Sequence, residues 1–268
     1  MTSVKEQTAG LYAKGLSEAG FIALTFDAAY QGESEGVPRY MEDPYQRVED
    51  VKSAVTYLST LENVDADRIG ALGICASGGY VPFAAQTDLR IKTVSNVSAA
   101  CTGKLTREGL KNVAPTTRDA LFNNLKTANS LRTAEGKGEN PAVYQLVADS
   151  ETELPEGIGK RTMFYEAVDY FKRRACHERS PNKVLVRSCD LLANYDSYNF
   201  IDLISPRPLL MIVGSDADTK YFSENAINQA KEPKELYEIA GKTHIGIYDD
   251  LTESLPKLIS FHEKNLAA

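Results

Sequence analysis

Apolar positions along the first hundred residues alternate between two rhythms. Residues 5–19 are compatible with a helix that closes at Gly20. Phe21, Ile22, Ala23, Leu24, Thr25 and Phe26 then form a run that predicts a buried strand ending at Asp27. After a turn-rich stretch through Gly32, Gly36 and Pro38, Asp43 and Pro44 supply an N-cap and a proline for the first helical position. Val48, Val51, Val55 and Leu58 continue that helix at its own period. Beyond Asp65 come a strand over 68–72, a glycine-rich turn, a helix toward Thr87 and a strand over 91–97. The pattern resumes late, with strands over 208–213 and 235–239, a helix over 223–231, and a closing helix over 251–266 that contains Pro256. Strands alternating with helices predict an α/β fold with a mainly parallel sheet covered on both faces.

Between Ala100 and Ile204 the rhythm changes. This stretch is polar, mostly helical and without a convincing strand; residues 118–128 and 161–171 suit amphipathic helices. An insertion between parallel strands is expected to cap the ligand crevice. The expected division is therefore a core over 1–100, a helical cap over 101–204, and the rest of the core over 205–268.

Composition narrows the class. The 268 residues are 43% hydrophobic and carry a net charge of −7, with no basic run long enough to follow a phosphate backbone, so no nucleic-acid partner is expected. No apolar run approaches the roughly 18 residues of a membrane span, and no signal peptide is evident at Met1, so the expectation is a cytoplasmic protein with no membrane partner. Cys75, Cys101, Cys176 and Cys189 lie far apart and read as reduced thiols. Three scattered histidines offer no metal-ligand spacing, and Gly73 to Gly79 is not a dinucleotide fingerprint, so neither metal nor cofactor is expected.

The segment Gly73, Ile74, Cys75, Ala76, Ser77, Gly78, Gly79 carries the chemistry. A strand runs into small-x-nucleophile-x-small and then a helix, the pattern of a nucleophile held on a tight turn. Two registers fit, one centred on Cys75 and the other on Ser77. A thiol there would be activated by the helix start beneath it and by a base. His244, just past the last predicted strand, is the candidate base. His177 in the cap and His262 in the closing helix read as surface or packing residues. The orienting acid should follow the strand over 208–213, where Asp216 and Asp218 both stand.

With these residues in hand, the chain resembles the α/β-hydrolase superfamily. The likeness rests on Phe26 and Asp27, Gln31 to Ser34, Gly73 to Gly79, Ile204 to Ile212, and Gly241 to His244. More narrowly it resembles the dienelactone-hydrolase-like group that includes fungal polyketide transferases and related uncharacterised hydrolases. The resemblance spans essentially the whole chain and implies an αβα sandwich with a helical cap, lacking the family's amino-terminal strands. In that family the nucleophile stands seven residues after the strand's arginine, which from Arg68 is Cys75, with Ser77 the alternative. An aspartate followed six residues later by an acidic residue fits Asp218 and Glu224, with Asp216 the alternative. Asp27 matches an aspartate that is usually structural. The backbone N–H of Ala76 is implied as one oxyanion donor. The loop that supplies the second would end where this chain begins, leaving Thr2, Ser3 or Val4 to provide it.

The expected function is acyl transfer on an ester, lactone or thioester through a covalent Cys75 intermediate, with His244 as base and Asp218 as orienting acid. Water as acceptor makes a hydrolase; a hydroxyl acceptor makes a polyketide-type acyltransferase. The rival class is a non-catalytic binding protein on the same fold. The expected partner is a small-molecule acyl substrate, the residues that bind it are unassigned, and homodimer formation is left open.

Overall fold

The computed structural model describes residues 1–111 and 113–267. Helix α1 (Thr8–Glu18) is followed by an extended stretch, and α2 (Pro44–Ser59) begins where Asp43 caps it, accepting from the Tyr45 and Gln46 amides. Strand β1 (Ile69–Ile74) leads through the elbow into α3 (Ser77–Thr87), then β2 (Ile91–Val97). The long middle segment holds α4 (Thr102–Glu108), the short strands β3 (Gly109–Leu110) and β4 (Ala114–Pro115), and α5 (Arg118–Gly136). It continues with β5 (Val143–Gln145), α6 (Met163–Asp169), a π-helical turn Tyr170–Arg174, β6 (Lys183–Leu185) and α7 (Ser188–Ala193). The chain then returns to the sheet with β7 (Leu209–Gly214), α8 (Lys220–Gln229), β8 (Lys234–Ile239) and α9 (Ser254–Leu266).

The main sheet has four strands in the order β1-β2-β7-β8, all parallel, with Ile74 opposite Val97, Val94 opposite Leu209, and Leu209 opposite Lys234. The two central strands are buried almost throughout, as two-sided coverage requires. One face packs on α3 and α8 through Tyr80, Ala84, Val94, Met211 and Phe222; the other packs on α1 and α9 through Tyr12, Val97, Leu210, Ile212 and Leu258. This aligns the carboxyl ends of β1, β2, β7 and β8 on one edge, where an open α/β sheet places its ligands.

Two expectations are corrected. The run Phe21 to Phe26 is not a strand: it has no ladder partner among the described residues, and Ile22, Leu24 and Phe26 are 55%, 38% and 41% exposed. Apolar composition alone does not make a strand where no neighbouring strand completes its hydrogen bonds. The middle segment, expected to lack strands, contains two antiparallel pairs, β3 with β4 and β5 with β6. Runs of two or three residues are too short for a period of two to show in sequence. Among the described residues no helix is long and apolar enough to cross a membrane.

Candidate active site

The sharpest backbone feature lies between β1 and α3, where Cys75 has φ 56°. Left-handed backbone at a non-glycine residue is strained and persists only where its surroundings enforce it. Here they do. The Cys75 amide donates to Val97 O at 3.0 Å, and its carbonyl accepts from Gly78 N at 2.9 Å and Ala100 N at 3.0 Å. Small neighbours are obligatory: a Cβ on Gly73 would lie 2.2 Å from Ser77 O, and one on Gly79 2.3 Å from Ser197 Oγ. Tyr198 and Tyr195 hydroxyls cap the Gly78 and Gly79 carbonyls at 3.1 and 3.3 Å. Of the two registers left open by the sequence, Cys75 stands at the apex of the turn; Ser77 is the first residue of α3 and is exposed.

His244 follows β8 and is fully buried. Its carbonyl accepts from Ser98 Oγ at 2.7 Å, which ties the histidine loop to the end of β2. Its ring Nδ1 lies 2.5 Å from Thr219 Oγ1 and its Nε2 lies 3.0 Å from the Tyr248 hydroxyl. The Cys75 side chain packs against the cluster that contains Tyr248, beside His244. Burial pushes this thiol up, but the nearby His244 charge and polar neighbours outweigh it and bring the pKa down to about 6. The Tyr248 phenol is held well above its ordinary range, mainly by burial, so it remains a donor.

The acids are less direct. Asp218 Oδ2 accepts from the Met163 amide at the start of α6 at 2.8 Å, while Oδ1 is buried without a hydrogen-bond partner. Burial raises the Asp218 pKa against the pull of the nearby His244 charge. Asp218 is thus beside the histidine without bonding it, and its neighbour Thr219 occupies Nδ1. Asp216 is exposed and pairs with Arg161 at 2.6 Å. Glu224 pairs loosely with Lys220 at 3.6 Å on α8.

The remaining sequence-derived candidates fall elsewhere. His177 Nδ1 accepts from Arg179 N at 3.2 Å in the middle segment. His262 is buried between Thr93 Oγ1 at 2.8 Å and Ser95 Oγ at 2.9 Å. Asp27 accepts from the Lys5 and Glu33 amides at 2.8 and 2.9 Å and so pins the loop after residue 26. Among the described residues the Ala76 amide donates to no protein acceptor. Val4, one of three candidates for a second donor, is committed elsewhere: its amide donates to Gln7 Oε1 at 3.0 Å. The Thr2 and Ser3 amides have no protein acceptor among the described residues, and Thr2 is fixed by Asn182 Oδ1 at 3.1 Å and Ser180 Oγ at 2.8 Å.

Sequence reasoning missed Thr219 and Tyr248. A threonine entering a helix reads as a capping residue, and a tyrosine four positions after a histidine reads as core. That four-residue spacing, which puts two side chains on one face of a turn, was the available signal. Among the described residues no cluster of His, Cys, Asp and Glu side chains could hold a metal ion. A cleft of about 190 Å³ adjoins the histidine loop, lined by Lys160, Tyr165, Glu166 and Gly246 among others, but not by Cys75.

No protein-family model matches the chain. The uncharacterized protein YcjY of Escherichia coli is 36% identical over 267 residues, covering 98% of this chain and 85% of that one. The hypothetical protein PA2218 of Pseudomonas aeruginosa is 34% identical over 98% of this chain and 70% of its own length. Its crystal structure superimposes with a TM-score of 0.91 at 31% identity, covering 99% of this chain and 82% of that one. The polyketide transferase grgF of a Penicillium species is 25% identical over 95% of this chain and 82% of its own. Its α/β-hydrolase structure shares the fold, with a TM-score of 0.84 over 100% of this chain and 88% of that one. The parallel sheet, the strained strand-to-helix turn at Cys75 and these relatives agree: the chain belongs to the α/β-hydrolase superfamily, in one family with YcjY and PA2218.

Proposed function

We propose that the protein transfers acyl groups from an ester, lactone or thioester through a thioester formed on Cys75. The observation that carries this reading is a thiol at a strained elbow beside a buried histidine, whose charge helps to lower it to about 6. At neutral pH such a sulfur is a thiolate, the nucleophilic form.

In acylation the Cys75 sulfur attacks the carbonyl carbon, and the carbonyl oxygen takes up the negative charge against the Ala76 N–H. The carbon–leaving-group bond then breaks as His244 Nε2–H protonates the departing oxygen or sulfur. In deacylation His244 takes a proton from water or from an acceptor hydroxyl, that oxygen attacks the thioester, and the Cys75 sulfur leaves as thiolate. Thr219 fixes the ring at Nδ1, and the buried Asp218 carboxylate stabilises the imidazolium through space. Residues 101–204 act as the cap. A hydroxyl acceptor is the transfer variant suggested by the name of the Penicillium relative. The four free thiols suit a reducing compartment such as the cytoplasm.

The test is hydrolysis of p-nitrophenyl esters together with iodoacetamide labelling. Cys75 should be alkylated well ahead of Cys101, Cys176 and Cys189 at pH 7, and Cys75→Ala should abolish turnover. Equal labelling of all four with no turnover would favour the non-catalytic binding protein; loss of turnover in Ser77→Ala rather than Cys75→Ala would move the nucleophile.

A further inference from the structure

Tyr248 stands four residues after His244, across the short helical turn Ile245–Ile247. It is 3% exposed, and its ring packs edge-on against Tyr170 at a centroid distance of 5.2 Å and an interplanar angle of 89°. Tyr170 is itself tethered, its hydroxyl 2.6 Å from Thr8 Oγ1. The phenol is therefore held from behind, with its oxygen 3.0 Å from His244 Nε2 and in the cluster against which Cys75 packs.

Counting donors decides where its proton goes. A phenol has one O–H, and an imidazolium nitrogen carries a hydrogen and has no lone pair to offer. When Cys75 and His244 form their ion pair, Nε2 cannot accept from Tyr248, and the sulfur is the acceptor that remains. We propose that the Tyr248 hydroxyl donates to the Cys75 thiolate, making Tyr248 a catalytic residue that shares with His244 the task of keeping the nucleophile charged. Once the sulfur is acylated and His244 has given up its proton, the same O–H turns to the free Nε2. No proton leaves the oxygen in either state, consistent with a phenol that burial keeps protonated.

The ionisable groups facing Cys75 are His244, Tyr248, Tyr198 and the amino-terminal ammonium; those facing Tyr248 are His244, Cys75, Tyr170 and Tyr12. Replacing Tyr248 by phenylalanine removes one donor and leaves the others and the ring in place. A hydrogen bond to a charged acceptor is strong enough to move a pKa by about one unit.

This inference rests on the reading of Cys75 as nucleophile, so its test uses a reagent that needs no acyl substrate. The rate of iodoacetamide alkylation at Cys75 is measured from pH 4 to 9 by peptide mass spectrometry in the full chain. The midpoint of the unaltered protein should lie at about 6. In Tyr248→Phe it should rise by about one unit, cutting alkylation at pH 5 about tenfold and leaving pH 9 unchanged. An unmoved midpoint, or a loss equal at both pH values, overturns the proposal and leaves Tyr248 a packing residue. Should Tyr248→Phe fail to fold, 3-fluorotyrosine at position 248 keeps the shape and strengthens the donor. It should lower the midpoint, and a midpoint that stays or rises overturns the proposal. Ester turnover measured in parallel separates the two readings: a shifted midpoint without turnover removes acyl transfer but not the hydrogen bond.

Discussion

Around His244 four side chains divide the work, and the one carboxylate among them is not hydrogen-bonded to the ring. Thr219 holds Nδ1, Tyr248 meets Nε2, Cys75 lies beside the ring, and Asp218 lies nearby with Oδ1 unpartnered. A buried charge beside an imidazolium is worth more than one neutral hydrogen bond. Asp218→Asn should therefore lower kcat about ten- to a hundredfold, and Thr219→Val, losing about 1 kcal/mol, about fivefold. A larger loss in Thr219→Val would transfer the orienting role to the hydroxyl. At this scale the sequence was legible where chemistry restricts residue size. Gly73 and Gly79 flank the turn at Cys75 because a Cβ at either would collide with Ser77 O or Ser197 Oγ. Thr219 and Tyr248 were not legible, because ordinary turn and core residues acquire their roles only when separate loops meet.

Helix α9 illustrates what an element adds. His262 lies on its buried face and reaches Thr93 and Ser95 on β2, and burial lowers its pKa from 6.5 to about 4. The unfolded chain binds this proton near 6.5 while the folded chain refuses it until about 4. Stability is thus full above 6.5 and is lost as the pH falls through that window, by about 3 kcal/mol in all. Urea unfolding at pH 7 and pH 5 should show this loss, and His262→Gln should flatten it; an equal pH dependence in the variant would remove His262 as its source. Elements with local signals matched the sequence, as where Asp43 caps α2 and Pro44 opens it. The run Phe21 to Phe26 failed because a strand is a property of a pair. Its side chains fit the pattern, but no ladder partner faces it among the described residues.

Across the whole molecule, a buried ionic network joins the elbow helix, α2 and the middle segment. Glu42 is fully buried and takes a two-point contact from Arg47, Nε to Oε1 at 3.1 Å and Nη2 to Oε2 at 2.6 Å. Tyr80 of α3 donates to the same carboxylate at 2.7 Å, and the Glu42 amide donates to Ser188 Oγ of α7 at 2.9 Å. Breaking such a pair from one side strands a buried charge and costs about 3–5 kcal/mol, whereas replacing both members by apolar residues is often close to neutral. Glu42→Gln should therefore lower the unfolding free energy by about that amount, and Glu42→Met with Arg47→Met should recover most of it. Equal stability of Glu42→Gln and the parent would show that the pair does not hold these parts together. None of this was visible in the sequence, because the partners of Glu42 on α3 and α7 are brought to it only by the fold.

The central event of the proposed function is the formation of a thioester at Cys75. The direct measurement is intact-protein and peptide mass spectrometry after rapid acid quench of the protein with p-nitrophenyl acetate. The expected result is a gain of one acetyl group, about 42 Da by the chemistry of acyl transfer, mapped to Cys75 and absent in Cys75→Ala. An acetyl group on Ser77, or no adduct despite turnover at steady state, would contradict acyl transfer through Cys75.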